Sequence, residues 1–80
     1  MGKIKGWKKI HNSINALGKS ESWINDNTTI DLYGSIGQYG SRQYTLDIHI
    51  IGEEQKHYHH QERSVLKNKA IQYMRSHPNG

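Results

Sequence analysis

Three histidines within four residues, His57, His59 and His60, are the densest group of chemically capable side chains in the 80-residue chain. Imidazole is a common ligand for zinc, copper and nickel. On a strand His57 and His59 share a side and could approach one ion together, but a complete site needs a third ligand, such as His49 or Glu62, and a second shell. The same spacing equally describes a solvated edge strand whose histidines are merely polar, so the expectation is no metal and no cofactor. Asp31, Asp47 and His49 form a second group on the polar face of a predicted hairpin, where a carboxylate could assist the imidazole in proton transfer. Catalysis also needs a concave, water-restricted pocket, which the open face of a small sheet does not supply. The chain has no cysteine nucleophile and no Gly-x-Ser-x-Gly elbow, and Gly34, Gly37 and Gly40 lack the lysine and helix of a phosphate loop. No catalytic residue is expected, and the protein is not expected to be an enzyme.

Charge points elsewhere. Residues 1–19 carry five lysines and no acid, residues 20–55 carry six acids against Arg42 alone, and residues 56–80 carry five bases against Glu62 alone. Two basic ends therefore flank an acidic middle, with a net charge of +4. If the ends meet in space they form one basic surface, which attracts polyanions. The competing expectation is that ends and middle attract each other within the fold.

A nucleic-acid surface would draw on Lys8, Lys9, Arg42 and Lys56 for phosphates and on Tyr39 and Tyr58 for stacking on unpaired bases. Tyr33, on the open face of the hairpin, is a further ring of that kind. Asp31 and Asp47 would repel phosphates from the sheet centre, so the hairpin tip and the basic termini are the favoured positions. Against this stands a purely structural account, because tyrosines suit strands and lysines keep edge strands from aggregating. The alternative function is a protein-interaction or self-association module, a homodimer included, in which an outer sheet face with Tyr33, Thr45, His49 and a tryptophan, or an unpaired strand edge, accepts a partner. A small core makes burial by association useful.

The elements that position these residues follow from period and punctuation. Eighty residues hold one small core, so residues 1–80 form a single domain. With 32% apolar residues and no Phe, that core must come from Ile, Leu, Val, Met and the Trp and Tyr rings. No stretch approaches the roughly 18 apolar residues of a membrane span, the basic start MGKIKGWKK leads into no signal-peptide core, and cysteine is absent; no membrane partner and a cytoplasmic location are expected.

TIDLYGSIGQYGSRQYTLDIHII, residues 29–51, alternates apolar and polar on both sides of a glycine-rich middle. Ile30, Leu32, Gly34 and Ile36 share one face of the first run and Tyr44, Leu46, Ile48 and Ile50 one face of the second, predicting an antiparallel hairpin with Ile36 near Tyr44 and Leu32 near Ile48 that has both apolar rows on one side. The turn takes Gly37, Gln38, Tyr39, Gly40, Ser41 and Arg42. A hairpin alone is marginal in water, so its apolar side needs a cover. The segment QERSVLKNKAIQYMRSHPNG supplies one, with Leu66, Ala70, Tyr73, Met74 and His77 on one helix face, Val65 and Ile71 at its edges, Ser64 as N-cap and Pro78 as stop. Residues 7–12 read as a strand of unclear register, residues 12–22 as loop or one helical turn stopped by Gly18, Trp23 and Ile24 as a short strand before the Asn25–Asp26–Asn27 turn, and residues 55–60 as a fourth or fifth strand or the approach to the helix. The predicted fold is α+β, an antiparallel sheet of about four strands with one C-terminal helix packed on one face.

Trp7, Trp23, the hairpin, the helix and the ending AIQYMRSHPNG resemble small uncharacterised archaeal proteins in which a sheet is closed by a terminal helix ending in a Met-Arg-x-His-Pro-like sequence. The resemblance covers mainly the last 20 residues; it implies this fold and no particular activity. The element order is also similar in layout to the Whirly and purine-rich-element binders of single-stranded nucleic acid, without any motif of theirs.

Overall fold

In the computed structural model, residues 6–37 and 39–77 are described; Lys3 and Lys5 of the basic start, Gln38 of the turn and the helix stop Pro78 lie outside them. Five strands, β1 (Lys8–Asn15), β2 (Gly18–Asn25), β3 (Thr28–Ile36), β4 (Arg42–Ile50) and β5 (Lys56–His60), precede one helix, α1 (Arg63–Ser76). The strands form a single sheet in chain order, and every neighbouring pair is antiparallel. The architecture is thus α+β, with five strands where about four were expected. The fifth is β5, where the sequence of residues 55–60 leaves a strand or the approach to the helix open, and residues 12–22 complete β1 and open β2 instead of forming a loop or helical turn.

Strand alternation sorts the sheet into two faces. On one, Glu21, Leu32, Leu46 and Tyr58 lie across from one another in register, as do Trp23, Ile30, Ile48 and Lys56. This face is roofed by α1, whose buried residues Leu66, Ala70 and Met74 are spaced by four and so form one stripe. They meet Trp7, Trp23, Ile30, Leu32, Leu46 and Ile48 to complete the core. Both tryptophans are therefore on the covered side, not on the outer face. Tyr73 and Ile71 flank the stripe, while Val65 is exposed. In the hairpin, Leu32 pairs with Leu46 and Ile30 with Ile48, a register two residues away from the expected one. The turn is shorter than assumed, closed by Gly37 N–H donating to Ser41 O and Gly40 N–H to Gly37 O. A shift of two leaves every side chain on its predicted face.

The helix begins with Glu62, not Ser64, as its N-cap, and without a side-chain capping bond. Glu62 N–H instead donates to His60 Nδ1 at 2.9 Å. Starting there puts Arg63 and Lys67 one turn apart on the same side, which brings both onto the covered face of β2. At its far end the helix is clamped by the N-terminus: Trp7 Nε1–H donates to His77 O at 2.9 Å, and Tyr73 meets the Trp7 ring edge-on and stacks on His77.

The β1–β2 turn folds over the sheet rather than extending beyond it. A Cβ added to Gly34 would stand 2.1 Å from the Leu17 carbonyl oxygen, so only glycine admits that carbonyl. Next to it Gly18 holds φ +119° against the Tyr44 ring.

Candidate functional site

The residues expected to contact nucleic acid do not form one surface. Lys8 and Lys9 open β1 and Lys56 and Tyr58 lie on β5, the two opposite edges of the sheet. Four strand spacings, roughly 19 Å, separate those edges. Tyr39 in the β3–β4 turn and Arg42 at the start of β4 lie at the other end of the sheet from Lys8, a distance of about 23 Å along β3. Tyr39 is 90% exposed, whereas Tyr58 is half-buried against the core with Lys69 Nζ 4.3 Å from its ring centre. The Tyr33 hydroxyl is also engaged, donating to Asp47 Oδ2 at 2.8 Å.

What does converge is a different set of bases. Lys9 and Lys19 from the basic start and Arg63 and Lys67 from the basic end all surround Glu21, a fully buried carboxylate. Lys9 Nζ reaches Oε2 at 2.7 Å, Lys67 Nζ reaches Oε2 at 2.7 Å and Oε1 at 2.9 Å, Arg63 donates to Oε1, and Lys19 stands at 3.7 Å. Burial pushes the Glu21 carboxyl pKa up, but hydrogen bonds from Lys67, Lys9 and Arg63, with the charge of Lys67, outweigh it and hold it at about 2. Lys9 and Lys67 also lie over the Trp23 ring, at 5.5 and 5.2 Å from its centre.

The uncovered face has the opposite electrical character. Ser22, Asp31, Asp47 and His57 stand across from one another on four strands. Ser22 donates to Asp31 Oδ1 at 2.6 Å, and His57 Nδ1 lies 2.5 Å from Asp47 Oδ1. Burial, then the hydrogen bond to Asp47, then the charges of Asp47 and Asp31 push the Tyr33 phenol up to about 12, so at neutral pH it remains a hydroxyl and a donor. Asp47 takes His57 as its partner in place of the expected His49. A directly opposite cross-strand neighbour sits about 5 Å away, closer than a residue two along the same strand.

Among the described residues no three of His, Cys, Asp and Glu close on a point that could hold a metal ion, and no helix is long and apolar enough to cross a membrane. No family model, curated protein or solved structure matches the chain.

Sequence reasoning missed Glu21 and its ring of cations. The signal was present in GKSESWIN, where Lys19, Glu21 and Trp23 alternate onto one side, but a row with two charges in it does not read as inward-facing.

Proposed function

We propose that the protein is a non-enzymatic binding module that engages a polyanion, single-stranded nucleic acid foremost, on the helix side of its sheet. The observation behind this reading is the meeting of the two basic ends. One cation neutralises Glu21 and four surround it, so three positive charges remain in one small area. Attraction between the ends and the acidic middle balances one of the four charges and leaves the other three in excess, although all four cations touch the same carboxylate. Lys9, Lys19 and Lys67 each keep more than a quarter of their side chain in water, within reach of a phosphate. Arg42 and Lys56 are outlying contacts on the same side, Lys8 lies on the opposite face, and the exposed Tyr39 is the ring best placed to stack on a base.

Titration of a labelled single-stranded oligonucleotide by fluorescence anisotropy tests this. Three phosphate contacts imply that log K falls against log salt with a slope of roughly −2. Lys19→Gln, which removes the cation least tied to Glu21, is expected to weaken binding about threefold and to flatten the slope by about 0.7. No binding at about 10 micromolar protein in low salt, or binding indifferent to salt, rejects the reading.

A second reading, self-association, is favoured by β1 itself. This edge strand is eight residues long and exposes Ile14 by 80% and Ile10 by 52%, whereas the other edge, β5, is five residues long and carries Lys56 and three histidines. Unpaired edges with exposed aliphatics accept further strands. Antiparallel pairing of two β1 strands sets the Lys8 end of one against the Asn15 end of the other, which keeps like charges apart. Sedimentation should then show mass rising with concentration and Ile14→Lys restoring the monomer; a monomer at every concentration rejects self-association.

A further inference from the structure

We propose that His57 and His59 bind a divalent transition-metal ion of the zinc type through their Nε2 atoms, on the face of the sheet away from the helix. The two imidazoles are two residues apart on β5 and so leave the strand on the same side, about 7 Å apart at Cβ, close enough for both rings to tilt onto one ion.

Both are held through Nδ1 by side chains of the neighbouring strand β4. His57 Nδ1 lies 2.5 Å from Asp47 Oδ1, and His59 Nδ1 lies 3.0 Å from Thr45 Oγ1; the Gln43 amide nitrogen, a donor, stands farther from the same His59 atom, at 3.4 Å, and yields when Nδ1 carries the proton. In His57 a neutral ring with its proton on Nδ1 donates to the carboxylate and presents the Nε2 lone pair outward. His59 does the same when Nδ1–H donates to Thr45 Oγ1, whose own proton passes to Ser35 Oγ 2.8 Å away. Anchoring through Nδ1 is how metal-binding imidazoles are oriented, with a carboxylate as a favoured anchor. That anchor is itself fixed, since Tyr33 donates to the other Asp47 oxygen.

The charge on this face also suits a cation. Asp31 and Asp47 are directly opposite each other, and like charges in that relation repel. His11 and His49 also face this side, and Lys8, paired with Ile24, is the one lysine or arginine that strand alternation places there among the described strand residues. The surplus cations around Glu21 lie on the other side of the sheet. A divalent ion beside His57 offsets the repulsion between the carboxylates, and two protein ligands leave the remaining tetrahedral positions to water or an external donor.

Histidine ring nitrogens followed by heteronuclear NMR during zinc titration of chelator-treated protein supply the test. Zinc is expected to saturate at one ion per chain, to shift Nε2 of His57 and His59, and to leave their Nδ1 bonds in place. His57→Gln or His59→Gln should each weaken binding at least tenfold, Asp47→Asn by about 10- to 100-fold in protein shown to be folded by circular dichroism, and His60→Gln not at all. The proposal is overturned if excess zinc leaves those nitrogens unmoved, if the His57→Gln, His59→Gln double variant binds as the parent does, or if His60→Gln weakens binding equally.

Discussion

Gly34→Ala is expected to lower the stability of the domain by about 3 kcal/mol, through a single added methyl group. The new Cβ would come 2.1 Å from the Leu17 carbonyl oxygen and 2.8 Å from its carbon, both backbone atoms of the β1–β2 turn. No rotamer change relieves such a clash; the turn has to lift from β3. Lifting it also draws Gly18 off the Tyr44 ring and strains the strand that carries Glu21. An 80-residue domain has roughly 4 to 12 kcal/mol of stability in total, so the loss should appear as a fall of about 12 to 24 °C in melting temperature. Thermal and urea unfolding followed by circular dichroism measure it, with the change Ser41→Ala at an exposed position of the β3–β4 turn as a comparison. A Gly34→Ala melting temperature within a few degrees of the parent would show that the turn does not bear on β3.

The part of the fold that could be read in advance is the part in which each residue's fate is set locally. Ile30 and Leu32, then Leu46 and Ile48, alternate with polar partners, and Leu66, Ala70 and Met74 recur every fourth residue, so period alone identifies a hairpin and its cover. The hairpin register is not legible from period, because it depends on how few residues the turn needs, which backbone bonds from Gly37 and Gly40 settle. The first part of β2, before Trp23, is hidden for a physical reason of another kind. Its inward row contains Lys19 and Glu21, and Glu21 can face inward only because Arg63 and Lys67, 42 and 46 residues away, arrive to neutralise it. No window along the chain contains that information. The expected residues stay apart for the same reason: charge alone points Lys9 at phosphate, and the fold first engages it with Glu21.

The electrical division of the sheet links the two surfaces. Inward rows supply Lys9, Lys19 and Glu21, the helix adds Arg63 and Lys67, and the outward rows hold Asp31, Asp47, His57 and His59. An anion and a cation would each meet the face suited to it, so neither ligand has to displace the other.

Glu21→Gln is expected to cost about 3 kcal/mol at neutral pH, and its pH dependence identifies the source of the loss. The folded carboxyl titrates at about 2 against an ordinary value of 4.5. Because the folded value is the depressed one, the stabilisation is fully present above pH 4.5 and disappears as the pH falls through about 2. The glutamine variant keeps the shape of the side chain but leaves Lys9, Lys19, Arg63 and Lys67 facing one another. Their side chains are 22 to 44% exposed and can turn partly into water, which keeps the loss at the low end of the range for breaking a buried ion pair. Urea unfolding of parent and variant from pH 7 down to pH 2 should therefore give two stability curves that are well separated at neutral pH and converge in acid. Other carboxylates contribute almost equally to both curves, so the difference between them isolates Glu21. A gap below about 1 kcal/mol at pH 7, or a gap that persists unchanged to pH 2, would mean that the four cations do not hold this carboxylate in its charged form.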